Sequence, residues 1–280
     1  MSVLQTLITL LIYPGLLLAL VLSVLYTMLT KGWMAQQPGV SVAPRDSQVL
    51  RNLDGALNIA SMVFAGLGLM LLPWPLHQLA PGPSLWLWSW ALFEIAFVIV
   101  LLPGLLSGWP PLVRAAMREL QIGVVGRALL WTALTVGLFL RTDWSLTSLP
   151  AHVLAILAAI CAFPAAVGWG PFAAETSLVL GAANQGLDSA TTALVHRARD
   201  TRTAILLGGS LVALLPLALM SYWIALWLIG LAFVLAGTTL NRLNGVFPRM
   251  TLPSALQFCW WRALPLSAAA ILYLALVGDR

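Results

Sequence analysis

Two charged side chains stand inside long apolar runs of this sequence. Glu94 lies in the middle of one run, and Arg127 lies one helical turn inside the next. If these runs span a bilayer, a lone ionised carboxylate at the centre costs at least about 2.5–3.5 kcal/mol, so Glu94 must pair, face water or take up a proton. It could transfer protons, or it could be a neutral, hydrogen-bonded side chain at a helix contact. Arg127 cannot lose its proton, so it must reach the interface or meet an acid, either Glu94 or Glu119.

The longest polar stretch, residues 171–203, is the second place where chemistry could occur. Its charged and titratable residues are Glu175, Asp188, His196, Arg197, Arg199, Asp200 and Arg202. Polar groups at membrane depth persist only in a cavity or in contact with protein. The stretch must therefore lie at the membrane surface or fold back into the interior. A solvated loop and the functional loop of a membrane complex both satisfy this requirement.

Signatures of catalysis and of metal binding are missing from the sequence. It has no glycine-rich phosphate loop, no His/Cys cluster with metal-ligand spacing and no Ser/His/Asp ordering. Its two cysteines, Cys161 and Cys259, are far apart and are typical of small buried side chains. We therefore expect no catalytic residue, no metal and no cofactor bound by this chain alone. The net charge of +5 comes from loop arginines and indicates membrane orientation, with no nucleic-acid partner.

The composition indicates which elements must position these residues. Of 280 residues, 61% are hydrophobic and 8% are charged, whereas a soluble domain has about 25% charged residues. No alternation typical of strands is visible, so the spans are predicted to be helices. The predicted fold is an all-α, polytopic integral membrane protein with about eight transmembrane helices in one membrane domain, residues 1–280.

A span needs about 20 apolar residues, which predicts the boundaries along the chain. The predicted spans are about 3–29, 56–76, 85–106, 122–140, 151–169, 204–220, 224–240 and 262–277, with a polar cytoplasmic loop at 171–203. Twelve of the 14 basic residues border alternate links, and only Arg141 and Arg280 fall on the opposite side. The positive-inside rule then places both termini outside the cytoplasm, in a bacterial inner membrane.

Several short patterns occur together in one order along almost the whole chain. They are Tyr13-Pro14-Gly15-Leu16-Leu17, Arg118-Glu119-Leu120, Pro171-Phe172 with Ala174-Glu175-Thr176-Ser177-Leu178-Val179 and Gly181, Leu187-Asp188-Ser189, and Arg242 to Trp261 followed by Leu264-Pro265-Leu266. In this order the patterns resemble the respiratory complex I subunit 1 (H-type) family. They are most similar to its branch in formate hydrogenlyase and other energy-converting nickel–iron hydrogenases.

The resemblance implies a role in an assembly. Such a subunit anchors a peripheral hydrogenase-like or complex I-like redox module and couples it to antiporter-like subunits that translocate protons or sodium, with quinone possible at the interface. It implies ion-coupling or structural charges at Glu94, Arg118, Glu119, Arg127, Glu175 and Asp188. It implies a partner-docking surface at Arg197, Arg199, Asp200, Arg202, Arg242 and Arg249. Arg118 and Glu119 could equally be surface residues.

The chain departs from the family pattern at its carboxylates. The run after the fifth span keeps Glu175 and little else of the family's acidic loop, and Ala182-Ala183 replace a His-Glu pair. Arg127 stands where the hydrogenase branch has a glutamate, and a fixed cation cannot carry the proton that an acid carries. These losses favour an alternative: a scaffold subunit of an ion or inorganic-carbon transporter complex without redox coupling.

Overall fold

Helices joined by short turns make up the part of the chain that the structure, a computed structural model, describes: residues 11–31, 52–77, 82–173, 189–244 and 246–278. The helices are α1 (Leu16–Lys31), α2 (Leu53–Met70), α3 (Pro83–Val98), α4 (Leu102–Leu106), α5 (Pro110–Phe139), α6 (Leu149–Ala166), α7 (Ser189–Leu214), α8 (Tyr222–Asn244), α9 (Leu252–Phe258) and α10 (Leu264–Gly278). A π-helical turn, Cys259–Ala263, joins α9 to α10. These residues contain no β-strand, and the all-α prediction is confirmed.

Within the described residues, five helical segments are long and apolar enough to cross a membrane. They are Leu53–Met70, Pro110–Phe139, Leu149–Ala166, Tyr222–Arg242 and Leu252–Leu276. Two further apolar helices, Leu16–Thr30 and Pro83–Val98, are shorter. Only 22% of the Tyr222–Arg242 window is buried inside the protein, so most of its apolar surface faces outward. The protein is a helical membrane protein, as predicted.

Two predicted links are helical in the structure. The expected link at 109–121 lies almost entirely in α5, which begins at Pro110, because proline suits the first turn of a helix, where a backbone N–H has no partner. The second half of the polar stretch 171–203 belongs to α7, which begins at Ser189. In α7 the charged residues lie within 197–202, and the residues from Ala204 onward are mostly apolar. In this part of the stretch, the charged residues lie where a helix leaves the apolar region, and they do not lie in a loop.

The centre of the fold is α5, which packs against α6, α7 and α10. Small residues allow these helices to approach closely, as is common in membrane proteins. A Cβ atom added at Gly126 would come 2.5 Å from the backbone nitrogen of Ala166 on α6, and one at Gly137 would come 2.5 Å from the carbonyl oxygen of Ala213 on α7. These glycines set how closely α5 packs against α6 and α7. They therefore help to set the position of Arg127, which lies between them along α5.

The turn between α5 and α6 is built from side-chain hydrogen bonds. The carboxylate of Asp143 accepts from the backbone N–H of Ser145 at 3.1 Å, and the hydroxyl of Ser148 donates to the Asp143 carbonyl at 2.9 Å. The Nε2 atom of His152 lies 2.9 Å from the same carbonyl. The imidazole ring stacks on Trp144 with 3.7 Å between ring centroids. This turn holds the end of α5 against the start of α6.

Candidate functional site

Glu94 and Arg127 form an ion pair across the contact between α3 and α5. The Nε atom of Arg127 donates to both carboxylate oxygens of Glu94, each at 3.0 Å. The relative exposure of the two side chains is 7% for Arg127 and 24% for Glu94. Of the two acids considered as partners for Arg127, the structure thus selects Glu94. A charge at this depth is tolerated because it is paired.

Further contacts hold both members of the pair. Trp131 donates its indole N–H to Oε1 of Glu94 at 3.0 Å, and Nη2 of Arg127 donates to the carbonyl of Phe93 at 2.9 Å. The guanidinium carbon of Arg127 also lies 4.9 Å from the centroid of the Phe97 ring, in cation–π geometry. The Glu94 carboxylate therefore receives hydrogen bonds from two side chains of α5.

Helical spacing places these groups on one face of α5. Gly123, Arg127 and Trp131 recur every four residues, so they lie one above another facing α3. Gly123 leaves room for the Phe97 ring, since an added Cβ would come 2.2 Å from its Cζ. The aromatic ring can therefore pack beside the guanidinium, and the two helices can approach closely enough for the ion pair to form.

A small charged cavity borders the ion pair on the side of α7. It encloses about 40 Å³, enough for a few water molecules. Its polar lining comes from Glu119 and Arg127 of α5 and from Arg199, Arg202 and Thr203 of α7. Membrane proteins tolerate such groups where they line a cavity. The first half of α7 thus carries charge into the protein interior, next to Arg127.

The two arginines of α7 are also fixed by backbone carbonyls. Nη2 of Arg199 donates to the carbonyl of Gly168 at 2.6 Å, and Nη1 of Arg202 donates to the carbonyl of Ala96 at 3.2 Å. Gly168 has φ +60° and an added Cβ there would meet the Arg199 guanidinium at 3.0 Å, so a residue without a side chain suits this contact. The carbonyls after α6 and within α3 thereby hold both guanidiniums beside the cavity.

The remaining predicted ion-coupling residues fall in three places. Glu119 is half-buried and lines the charged cavity. Arg118 is half-buried, and its Nη2 donates to the carbonyl of Met250 at 2.6 Å, which ties α5 to the segment before α9. Glu175 and Asp188 lie outside the residues that the structure describes.

The predicted docking residues separate into exposed and inward-facing groups. Arg197, Arg242 and Arg249 are exposed. Arg199, Arg202 and Asp200 are half-buried, and the two arginines line the charged cavity. Only the first three side chains have the exposure that an external docking surface needs. Spacing along α7 explains the difference, since residues 199, 202 and 206 share one helical face that is turned inward.

Trp131 and Phe97 are site residues that reasoning from sequence missed. Trp131 follows Arg127 by four residues and therefore had to lie on the same face if the segment was helical. That spacing was a usable signal, whereas Phe97 could be found only from the packing of α3 on α5.

Among the described residues, no group of three His, Cys, Asp or Glu side chains could hold a metal ion. Cys161 and Cys259 are free thiols.

Comparison with known proteins establishes the fold. No protein-family model matches the chain, and no curated protein matches its sequence. The structure is similar to a chain from the membrane-bound sulfane sulfur reductase, described as an archaeal respiratory membrane complex, with a TM-score of 0.61 and 14% sequence identity. The similarity covers 97% of this chain and 100% of that chain. The present chain therefore has, along nearly its whole length, a helical membrane fold that is also found in a respiratory membrane complex.

Proposed function

We propose that this protein is a membrane subunit of a respiratory-type complex. The observation that carries the proposal is the fold similarity to a chain of an archaeal respiratory membrane complex, which includes all of that chain and 97% of this one. The similarity therefore extends over nearly the whole of this chain. It fits a subunit whose fold serves assembly, in agreement with the sequence resemblance to the complex I subunit 1 family.

Within that assembly we assign the chain a connecting role. It would anchor a peripheral redox module, hydrogenase-like or complex I-like, and contact antiporter-like subunits in the membrane. The exposed arginines Arg197, Arg242 and Arg249 supply a positive surface for the peripheral module, and charge complementarity of this kind sets the orientation of docking. Quinone, if the complex uses it, would bind at an interface with partners, and no cofactor is assigned to this chain.

The proposed topology has eight spans with both termini outside the cytoplasm. Among the described residues, five segments are long and apolar enough alone, and the proposal adds the two shorter apolar helices and the apolar second half of α7. The distribution of basic residues gives the orientation. Reporter fusions in the turn 141–148, and in the 245–250 link, test it. At 141–148, a reporter that works only outside the cytoplasm should be active. At 245–250, a reporter that works only inside the cytoplasm should be active. The reverse result would refute the topology.

A scaffold subunit of an ion or inorganic-carbon transporter complex is the second candidate. The observation that favours it is the Glu94–Arg127 ion pair, because Arg127 is a permanent cation at the position where the hydrogenase branch has a proton-carrying acid. In that reading the respiratory fold is retained for assembly while redox coupling is lost. The two candidates differ in which proteins accompany the chain.

The test is purification of the tagged full chain from native membranes in mild detergent, followed by mass spectrometry of its partners. Redox metalloprotein subunits together with antiporter-like subunits would support the first candidate, and transporter subunits without redox proteins the second. Arg242→Glu combined with Arg249→Glu should lower recovery of the peripheral partner, because both side chains are exposed. Arg114→Glu reverses another exposed arginine, at the start of α5, and serves as the matched control.

A further inference from the structure

Two hydrogen-bond donors at the charged cavity have no partner among the described residues. Arg127 and Thr203 both line the cavity, and as whole residues each is only 6% exposed. Arg127 donates from Nε to Glu94 and from Nη2 to Phe93, whereas its Nη1 donates to no residue in the part of the chain that the structure describes. Donors buried without a partner are costly, so these two point to an acceptor bound in the cavity.

Thr203 differs in this respect from other helical threonines of the protein. The hydroxyls of Thr132, Thr135 and Thr201 each donate at 2.8 Å to the carbonyl four residues earlier in their own helix. The Thr203 hydroxyl donates to no carbonyl within the described residues. It is therefore available to a molecule or ion in the cavity that Thr203 lines.

The cavity lining carries more positive than negative charge. Its charged members are one carboxylate and three guanidiniums, Glu119, Arg127, Arg199 and Arg202. Even with Glu94 counted against Arg127, two guanidiniums remain against one carboxylate. Asp200, the acid of α7, is not among the lining residues. Because guanidiniums are permanent cations, this lining favours an acceptor with a negative charge over a neutral one.

The walls indicate which kind of anion suits the cavity. Its apolar lining includes Ala65, Phe93, Phe97 and Leu206, so an ion that enters gives up much of its hydration. This loss is smaller for a singly charged ion than for a doubly charged one. A guanidinium is itself weakly hydrated and suits an anion of the same character. A halide ion meets these requirements better than sulfate or phosphate does.

We propose that the charged cavity is a binding site for one halide ion. The ion would accept hydrogen bonds from Nη1 of Arg127 and from the Thr203 hydroxyl, in the positive field of Arg199 and Arg202. It would connect α5 to α7 next to the Glu94–Arg127 ion pair, and so satisfy two donors that the protein leaves unpartnered within the described residues.

The test is equilibrium dialysis of the purified full chain, with any partners that accompany it, against sodium bromide in sodium gluconate at constant ionic strength. Bound bromide is measured by elemental mass spectrometry. We expect one bromide per wild-type chain and about tenfold weaker binding in Thr203→Val, which removes one hydrogen bond to a charged group. Thr132→Val is the matched control, since that hydroxyl is already bonded within α5, and it should bind like the wild type. Equal bromide affinity in the two threonine variants would overturn the proposal.

Charge variants test the same site with effects of opposite sign. Glu119→Gln removes the negative charge from the lining and should bind bromide severalfold more tightly, whereas Arg202→Gln should bind it more weakly. Arg114→Gln neutralises an exposed arginine of α5 and should bind like the wild type. Bromide should also raise the melting temperature of the wild type relative to gluconate. Unchanged or weaker binding in Glu119→Gln, or an equal loss in Arg114→Gln and Arg202→Gln, would place the ion elsewhere and overturn the proposal.

Discussion

The Nε atom of Arg127 lies 3.0 Å from each carboxylate oxygen of Glu94, so one nitrogen bridges the whole acid across the contact between α3 and α5. Because the guanidinium cannot lose its proton, the pair places a permanent positive charge beside the carboxylate. The ion pair is therefore suited to holding two helices together and to fixing the electric field beside the charged cavity.

Removal of the cation alone should damage the protein severely. Arg127→Leu leaves the Glu94 carboxylate without its partner, and breaking a buried pair in this way costs about 3–5 kcal/mol. We expect a large fall in thermal stability in detergent and in complex yield. The double variant Glu94→Leu with Arg127→Leu should recover most of the loss, because it removes the charge as well as its partner. A double variant as unstable as Arg127→Leu would contradict the ion-pair explanation.

Neutralisation of the acid should be milder. Glu94→Gln keeps a side-chain oxygen that can accept from Trp131 and from Arg127. We expect nearly normal assembly and a partial loss of ion-coupled turnover in proteoliposomes, less than about tenfold. Assembly would be followed by complex yield in parallel. If pumping is abolished while assembly is normal, Glu94 is an essential proton relay and the structural interpretation is wrong.

Close packing around α5 gives a second prediction about stability. Gly126→Ala and Gly137→Ala would each push a methyl group to 2.5 Å from backbone atoms of a neighbouring helix. Overpacking of this kind costs about 1–3 kcal/mol. Gly230→Ala is the control, because an added Cβ there meets no atom within 4 Å, and it should be neutral or slightly stabilising. Similar melting temperatures for all three variants would show that these contacts relax freely.

The α5–α6 turn should depend on pH through Asp143. Hydrogen bonds from the Ser145 backbone and side chain hold the pKa of this carboxyl below its ordinary value. A lowered folded-state pKa means that the stabilisation is fully present above the unfolded pKa, about 3.9, and is lost as pH falls through the lower folded value. Asp143→Ala should therefore melt below the wild type at pH 7, with the gap closing towards pH 2. A gap that is independent of pH would exclude this origin.

The sequence predicted the membrane class and the residues at the centre of the site, but it did not predict the ion pair uniquely. Glu119 precedes Arg127 by eight residues of one helix, about 12 Å along the axis, whereas Glu94 approaches from α3. Only tertiary packing places one acid at 3.0 Å and the other in the wall of the cavity. The sequence contains no local signal of which helices are neighbours.

The polar stretch shows a different limit. Charge at residues 197–202 predicted a loop, but those residues belong to a helix whose second half is apolar. Hydropathy reports where a helix meets water or a polar cavity, and it does not distinguish a loop from a helix that continues past that boundary. The inward spacing of Arg199 and Arg202 was present in the sequence and becomes readable once the segment is known to be helical.

The most direct test of the central claim is the mass of the detergent-solubilised particle that contains the wild-type chain, measured by native mass spectrometry. A subunit of a respiratory-type complex should occur in a particle several times heavier than the 30.1 kDa chain, and controlled dissociation should release both membrane and peripheral redox subunits. A monodisperse, stable particle of one chain with bound lipid, and no partner in native membranes, would contradict the account.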